Sequence, residues 1–279
     1  MAGPPPIFDR ALAVRRADRA RQSDASILTR SMADELVARL AFVNRRFEQA
    51  CLIAPEPAAI AAALKAGGQV LGVEERMPAP GDDLALPRGR HDAVFSVLDL
   101  QSVNDVPGAL IQMRRALKPD GLLLGCLFAG ETLTELRQSW LAAEAAVTGG
   151  VSPRVAPMAD VRDLGGLLQR AGLALPVADL DRMTLRYADP LALMREIRAL
   201  GLSNTLTDRA RRPVSRQLLG AAIEHYQRNF SDPDGRVRAS VEVAWITGWA
   251  PHESQQQPLR PGSAKTRLAD ALRVEEKKI

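Results

Sequence analysis

The chain has 279 residues, of which 46% are hydrophobic and 25% charged, long enough for one large α/β domain and ordinary for a soluble globular protein. Its net charge of +4 comes mostly from arginine, and an aromatic share of 4% leaves a core of Leu, Val, Ile and Ala with no aromatics interleaved among basic residues, which argues against a nucleic-acid partner. No run approaches the ~18 apolar residues of a membrane span, and the N-terminus lacks the basic and apolar regions of a secretory signal, so a soluble cytoplasmic protein is expected.

Residues 7–23 are predicted to form a short helix or arm; Arg10, Arg15, Arg16, Arg19 and Arg21 make it the densest basic cluster, either a solvated face or a contact for phosphates or an acidic partner. Over residues 24–46, Ile27, Leu28, Met32, Leu36, Leu40 and Val43 recur at spacings of three and four, an amphipathic helix that Asp24 would cap. The rhythm then changes. ACLI (50–53) reads as a short buried strand, and 57–68 as a helix with Pro57 in its first turn and Gly67 or Gly68 past its end. A second strand covers 69–75, a Pro-, Gly- and Asp-rich loop 77–91, and a third buried strand 92–100.

Residues 104–121 form a helix that Asn104 or Asp105 caps and Lys118-Pro119-Asp120-Gly121 ends. LLLGCLF (122–128) is a fourth strand; 131–147 is a helix in which Thr132 and Glu135 fit a capping box. A helix over 160–172 runs from Asp160 to Gly172. Residues 179–187 alternate as a strand, 189–201 and 215–230 are helices, and a long last strand runs from Val237 to Trp249. The polar sequel is either a poorly packed tail or an arm that orders on a partner.

Short strands alternating with helices imply an α/β fold: a Rossmann-like, doubly wound, mostly parallel sheet with helical insertions and an N-terminal helical segment. Residues 1–46 are expected to be the helical arm, 47–250 the main domain and 251–279 the tail. Ligands of such sheets bind at the carboxyl ends of the strands, near the switch in strand order. The two cysteines, Cys51 and Cys126, lie apart in apolar runs and read as buried inert thiols. The three histidines, His91, His225 and His252, are scattered without a metal-ligand spacing, so no metal is expected. No nucleophile elbow is present.

The stretch HDAVFSVLDLQSVNDVPGALIQMRRALKPDGLLLGCLF resembles the middle of a class I S-adenosylmethionine-dependent methyltransferase. Asp92 stands where the family has an acid before its fourth strand, and Leu117-Lys118-Pro119-Asp120-Gly121 matches the turn before its fifth. With IFDRAL near the start, ETLTELRQSWLAAEAAVTGGVSPRVAPMADVRDLGGLLQRAG in the middle and GWAPHESQQQPLRPGSAK near the end, the chain is similar to one subgroup. This subgroup holds the relatives of the respiratory complex I assembly factor with a methyltransferase fold, described as hydroxylating an arginine of a complex I subunit. The resemblance implies S-adenosylmethionine as cofactor and a protein substrate or client, such as a respiratory-complex subunit.

The family's first loop, Asp-Leu-Gly-x-Gly-x-Gly, is matched here by Leu52, Ile53, Ala54, Pro55, Glu56, Pro57 and Ala58. Glycine would give the backbone freedom and close approach; two prolines remove two N–H donors, and Glu56 brings negative charge towards a carboxylate-bearing ligand. The resemblance assigns cofactor contacts to Ala54, Glu56 and Leu98, the ribose to Glu74 with Glu75 as the neighbouring choice, and the adenine to Asp82 or Asp83 with Leu84. Arg154, in a stiff Pro-flanked loop, and Asn204 are candidate substrate contacts, each equally a local structural residue. Where the family often has His-Trp, this chain has Gln101-Ser102, and no catalytic residue is assigned. Two functions stay open: an enzyme that modifies a protein side chain, and an assembly chaperone that uses the fold without the chemistry.

Overall fold

Every residue of Ala50–Ile53 (β1) is buried, because this strand lies between neighbours on both edges and under helices on both faces. The computed structural model describes residues 5–20 and 27–256. Around β1 are β2 (Val73–Arg76), β3 (His91–Val97), β4 (Leu117–Ala129), β5 (Ala174–Tyr187) and β6 (Val237–Trp249), in the order β2-β1-β3-β4-β6-β5. The first four pair in parallel, whereas β6 runs antiparallel to both β4 and β5. The sheet is therefore mostly parallel with one reversed strand, and the Rossmann-like α/β expectation holds.

The helices are α1 (Arg10–Ala20), α2 (Ile27–Ala41), α3 (Pro57–Ala66), α4 (Val106–Ala116), α5 (Thr134–Thr148), α6 (Val161–Arg170), α7 (Pro190–Ala199) and α8 (Arg216–Phe230). On one face of the sheet, Leu36 and Leu40 of α2 and Ile60 and Leu64 of α3 pack against Leu52, Phe95 and Trp245. On the other, Leu110 and Met113 of α4 and Leu164 and Leu168 of α6 meet Ile53, Val94 and Leu123. A third cluster joins Leu136 and Trp140 of α5, Leu193 of α7 and Tyr226 of α8 to Val237 and Ala239 at the start of β6. The sheet is thus doubly wound, and the third cluster stands beside the carboxyl ends of its central strands.

Several local expectations need correction. Thr132 and Glu135 do not form a capping box. The Thr132 hydroxyl donates to the carbonyls of Ala129 and Glu242 and accepts from the Glu242 amide, while the Glu135 carboxylate accepts from the amide and hydroxyl of Ser240. Both side chains are drawn across to β6, and α5 begins after Leu133, which is left-handed. Lys118-Pro119-Asp120-Gly121 lies inside β4 as an irregularity rather than after a helix that reaches it: α4 ends at Ala116, the register jumps between His91 and Ala93, and Asp120 has φ +59°.

Asp105 is the cap of α4, accepting from the Gly108 amide. Asn104 instead clamps the chain start, accepting from the Phe8 amide and donating to the Phe8 carbonyl. The Asp92 carboxylate accepts from the amides of Glu48 and Gln49, tying the start of β3 to the lead-in of β1. Both cysteines are free and buried, and burial pushes each thiol up to about 12. Asp24 and residues 257–279 lie outside the described residues. No described helix is long and apolar enough to cross a membrane, and no group of metal-ligating side chains occurs among the described residues.

Candidate functional site

At the carboxyl ends of β1, β3 and β4 lies a cleft of about 1220 Å³, counted out to bulk solvent. Pro55 after β1, Leu98 and Asp99 after β3, and Phe128 near the end of β4 form its sheet side. Leu98 is left-handed at φ +53°, and its amide donates to the Cys126 carbonyl at 2.9 Å. This strained residue turns the chain at the strand end and brings Asp99 to the cleft wall. The opposite side comes from α1, from Leu133 and Leu136, from Leu193 and Ile197 of α7, and from the segment 200–205.

The far wall is held by contacts distant in sequence. Arg16 of α1 donates to the carbonyl of Ser203 at 2.8 Å and also to that of Asn204. The Asp9 amide donates to the Thr205 carbonyl at 2.8 Å, and Asp9 pairs with Arg209. Gly201 has φ +71°, and a Cβ there would stand 2.8 Å from the Arg16 carbonyl oxygen, so glycine is required where α1 crosses the end of α7.

Among the described residues, the charged side chains lining the cleft are those of Arg10, Asp99, Arg154 and Glu196. Nη1 of Arg10 stands 2.9 Å from Oδ1 of Asp99 and donates to the Ser102 hydroxyl at 2.8 Å; both ionic side chains are almost wholly buried. Burial pushes the Asp99 carboxyl up, against the pull of Arg10. Nε and Nη2 of Arg10, Oδ2 of Asp99 and Oε1 of Gln101 have no hydrogen-bond partner among the described residues. Arg154 is held by Glu144, at 2.7 Å through Nε and 2.6 Å through Nη2, and stacks 4.8 Å from the ring centre of Trp140. Burial tends to raise the Glu144 carboxyl, but hydrogen bonds from Ser152 and Arg154 outweigh it and leave it below the usual range. Burial also raises the Tyr187 hydroxyl, which is hydrogen-bonded to Glu196.

The first loop differs from the glycine-rich pattern in conformation as well as composition. No residue from Ala54 to Ala58 has positive φ, so the turn has no conformational need for glycine. Ala54 is fully buried and its amide donates to the Arg76 carbonyl at 3.2 Å. Glu56 precedes α3 without capping it by its side chain, and its Oε2 is buried with no partner among the described residues. Pro55 alone of this loop lines the cleft.

The structure divides the predicted residues into groups. Leu98, Arg154 and Asn204 come together in the cleft. The Asn204 side chain donates to the Pro153 carbonyl at 2.7 Å and accepts from the Leu206 amide at 2.9 Å, joining the two loops that hold the candidate substrate residues. Asp83 and Leu84 border a second, shallower hollow with Ile53, Arg76 and Met77. There the Asp83 carboxylate accepts from the Ala85 amide, and the Leu84 amide donates to Gln112. Glu74 lines neither hollow. It sits beside Cys51 in mid-strand, 3.2 Å from Arg76 and 3.8 Å from His91 at the opposite end of β3, and Arg76 rather than an acid closes β2.

Residues 35–125 match a family described as "Methyltransferase domain". The mitochondrial arginine-hydroxylase NDUFAF5 of Danio rerio is 38% identical over 183 residues, covering 66% of this chain and 57% of that protein. The human protein of the same name is 40% identical over 183 residues, covering 66% and 53%. Over residues 35–125 the chain is thus similar to a methyltransferase domain. A malonyl-[acyl-carrier protein] O-methyltransferase of Halorhodospira halophila is 38% identical over 166 residues, covering 60% of this chain and 54% of that one. The chain thus spans little more than half the length of these curated relatives. Among solved structures, the YcgJ protein of Bacillus subtilis superposes with a TM-score of 0.51 at 12% identity, covering 78% of this chain and 99% of that one, a likeness of fold alone.

The sequence reading does not single out Arg10, Asp99, Tyr187 or Glu196 as site residues, and all four stand in the cleft wall. Arg10 was visible only as one member of a basic cluster. Asp99 had a signal: an acid within the apolar run VFSVLDL is out of place unless paired.

Proposed function

We propose that this chain binds S-adenosylmethionine at the sheet side of the cleft and acts on a protein, modifying or assisting the assembly of a respiratory complex I-like subunit. The observation that carries the reading is the cleft itself: it opens at the carboxyl ends of β1, β3 and β4, where this topology receives its ligands, and Pro55, Leu98 and Asp99 form that side of it. The similarity to an arginine-hydroxylase supports a protein target. In this reading the backbone at Pro55 and Leu98 flanks the cofactor, the hollow at Asp83 and Leu84 takes the adenine, and Arg154 and Asn204 shape the substrate entrance. Among the described residues the cleft carboxylates are Asp99, which faces Arg10, and Glu196, which faces Tyr187, and this reading rests catalysis on positioning the reactants.

A second reading, an assembly protein without chemistry, has its own support. Loop 54–58 holds two prolines without N–H donors and the unpartnered Glu56 carboxylate. Calorimetric titration with S-adenosylmethionine separates the two. The first reading expects saturable binding in the wild type that Leu98→Trp abolishes while the melting temperature is kept. Absence of both heat and thermal shift in the wild type leaves the assembly reading.

A further inference from the structure

Arginines gather on the outer surface of the cleft's far wall. Arg15, Arg16 and Arg19 lie on α1, Arg198 in the last turn of α7, and Arg209, Arg211 and Arg212 just after segment 200–205. They come onto one face because Arg16 holds the carbonyls of Ser203 and Asn204 and because Asp9 pairs with Arg209 at 3.1 Å. Burial and the positive charges of Arg209, Arg19 and Arg198 push the Arg16 guanidinium below its usual value, against the pull of Asp9, so these four cations stand within electrostatic reach of one another. Arg15, Arg19, Arg198, Arg211 and Arg212 are exposed, and among the described residues none of the five has an ion-pair partner. The acids on α1 and over 206–212 are Asp9, which Arg209 takes, and exposed Asp18 and Asp208; Glu196 of α7 lines the cleft instead. Positive charge is therefore in excess on this face, although like charges held close together repel.

From this excess we propose that the arginine face formed by α1, the end of α7 and residues 209–212 docks an acidic segment of a protein. The backbone that carries these arginines is also cleft wall, since Ala13 and Ala17 of α1, Gly201 and Asn204 line the cleft. A chain held here by its carboxylates is therefore anchored on one wall of the candidate site. Arginine suits the role, because its planar fork takes a carboxylate through two parallel hydrogen bonds. Nucleic acid fits less well: α1 and residues 206–212 contain no aromatic ring on which a base could stack, and Phe8 stands in the cleft wall. A uniformly anionic lipid surface also fits less well, because exposed Asp18 and Asp208 meet it as like charges, whereas a peptide varies its charge along its length. Docking here does not require S-adenosylmethionine to bind, and so goes beyond the function proposed above.

The test uses the full chain and a fluorescein-labelled peptide of repeating Glu-Gly, read by anisotropy, with Gln-Gly and Lys-Gly peptides of equal length. The expected result is saturable binding of the Glu peptide, with the other two weaker by about tenfold or more. The triple variant Arg198→Glu, Arg211→Glu, Arg212→Glu is expected to weaken the Glu peptide by about tenfold or more while S-adenosylmethionine affinity and melting temperature stay at wild-type values. Its control, Arg88→Glu, Arg90→Glu, Arg115→Glu, makes the same change in net charge with exposed arginines at the amino end of β3, the opposite end of the sheet, and is expected to bind as the wild type. Should the first triple lower the melting temperature, the same three arginines changed to Gln carry the test. Equal weakening by both triples overturns the proposal, because net charge alone then accounts for binding. Tighter binding of oligothymidylate or of phosphatidylserine vesicles than of the Glu peptide, lost in the first triple, gives the face to nucleic acid or lipid and overturns it too. Glu-peptide binding without S-adenosylmethionine binding upholds this inference and defeats the cofactor reading; the reverse pattern defeats this inference alone.

Discussion

The two sides of the cleft are built in different ways. The sheet side descends from β1, β3 and β4, parallel strands buried under helices on both faces, so the positions of Pro55 and Leu98 follow from the register of the strands that carry them. The far side is assembled from α1, the start of α5, α7 and segment 200–205, tied by contacts such as Asp9 to Thr205 and Arg16 to Ser203. One side is set by the core and the other by a few polar latches across nearly the length of the chain. The comparison teaches that a doubly wound sheet can keep its strand-end framework while the enclosure around it is chosen separately.

Breaking the latch between the two sides gives the largest expected effect. Asp99→Ala leaves Arg10 buried and uncompensated, and urea unfolding should show a loss of about 3–5 kcal/mol. The double change Arg10→Met with Asp99→Leu should recover most of that loss, because an apolar pair of similar volume replaces two desolvated ions. If the single and double variants are equally unstable, the pair is not what joins the sides.

The Arg154 loop belongs to the far side, and Glu144→Gln removes the charge that organises it. A loss of about 1.5–3 kcal/mol is expected at neutral pH from charge-assisted hydrogen bonds. The sign follows from Glu144 lying below its ordinary value of 4.5 in the folded protein. Its stabilisation is complete above the unfolded value and disappears as pH falls through the folded one. Melting curves of wild type and variant should therefore converge in that acid window and diverge above it.

A subtler change tests the crossing of α1 over α7. Gly201→Ala places a methyl against the Arg16 backbone at a left-handed residue, and a loss of about 1–2 kcal/mol is expected by thermal unfolding. The smallest effect belongs to the sheet side. Glu56→Gly removes a carboxylate from the first loop and should tighten S-adenosylmethionine by about 0.5–1 kcal/mol in calorimetry, whereas unchanged affinity would place Glu56 out of the ligand's reach.

The fold was legible because its signals are local. Apolar runs or alternation bounded by turn residues marked the strands, although β2 begins at Val73 rather than residue 69, and Asp105, Asp160, Asp189 and Ser215 cap their helices as residues of that type do. Thr132 and Glu135 misled for the opposite reason: β6, some hundred residues on, offered partners that competed with the local cap. Among the candidate site residues, Leu98 is assigned by the resemblance, Arg154 by its Pro-flanked loop and Asn204 by its place after a helix, and the structure sets all three along one cleft. The resemblance assigns the ribose to Glu74, which the structure sets within β2 beside Cys51 and 3.8 Å from His91.

The sequence by itself determined the alternation of strands and helices, the apolar core and the glycine-free first loop, since each depends on residues within a turn or two of one another. Only the tertiary structure decided that Arg10 meets Asp99 and that Asn104 holds Phe8. Those contacts join residues about ninety positions or more apart, and which pairs form depends on the packing of α1 over the finished sheet rather than on any local preference.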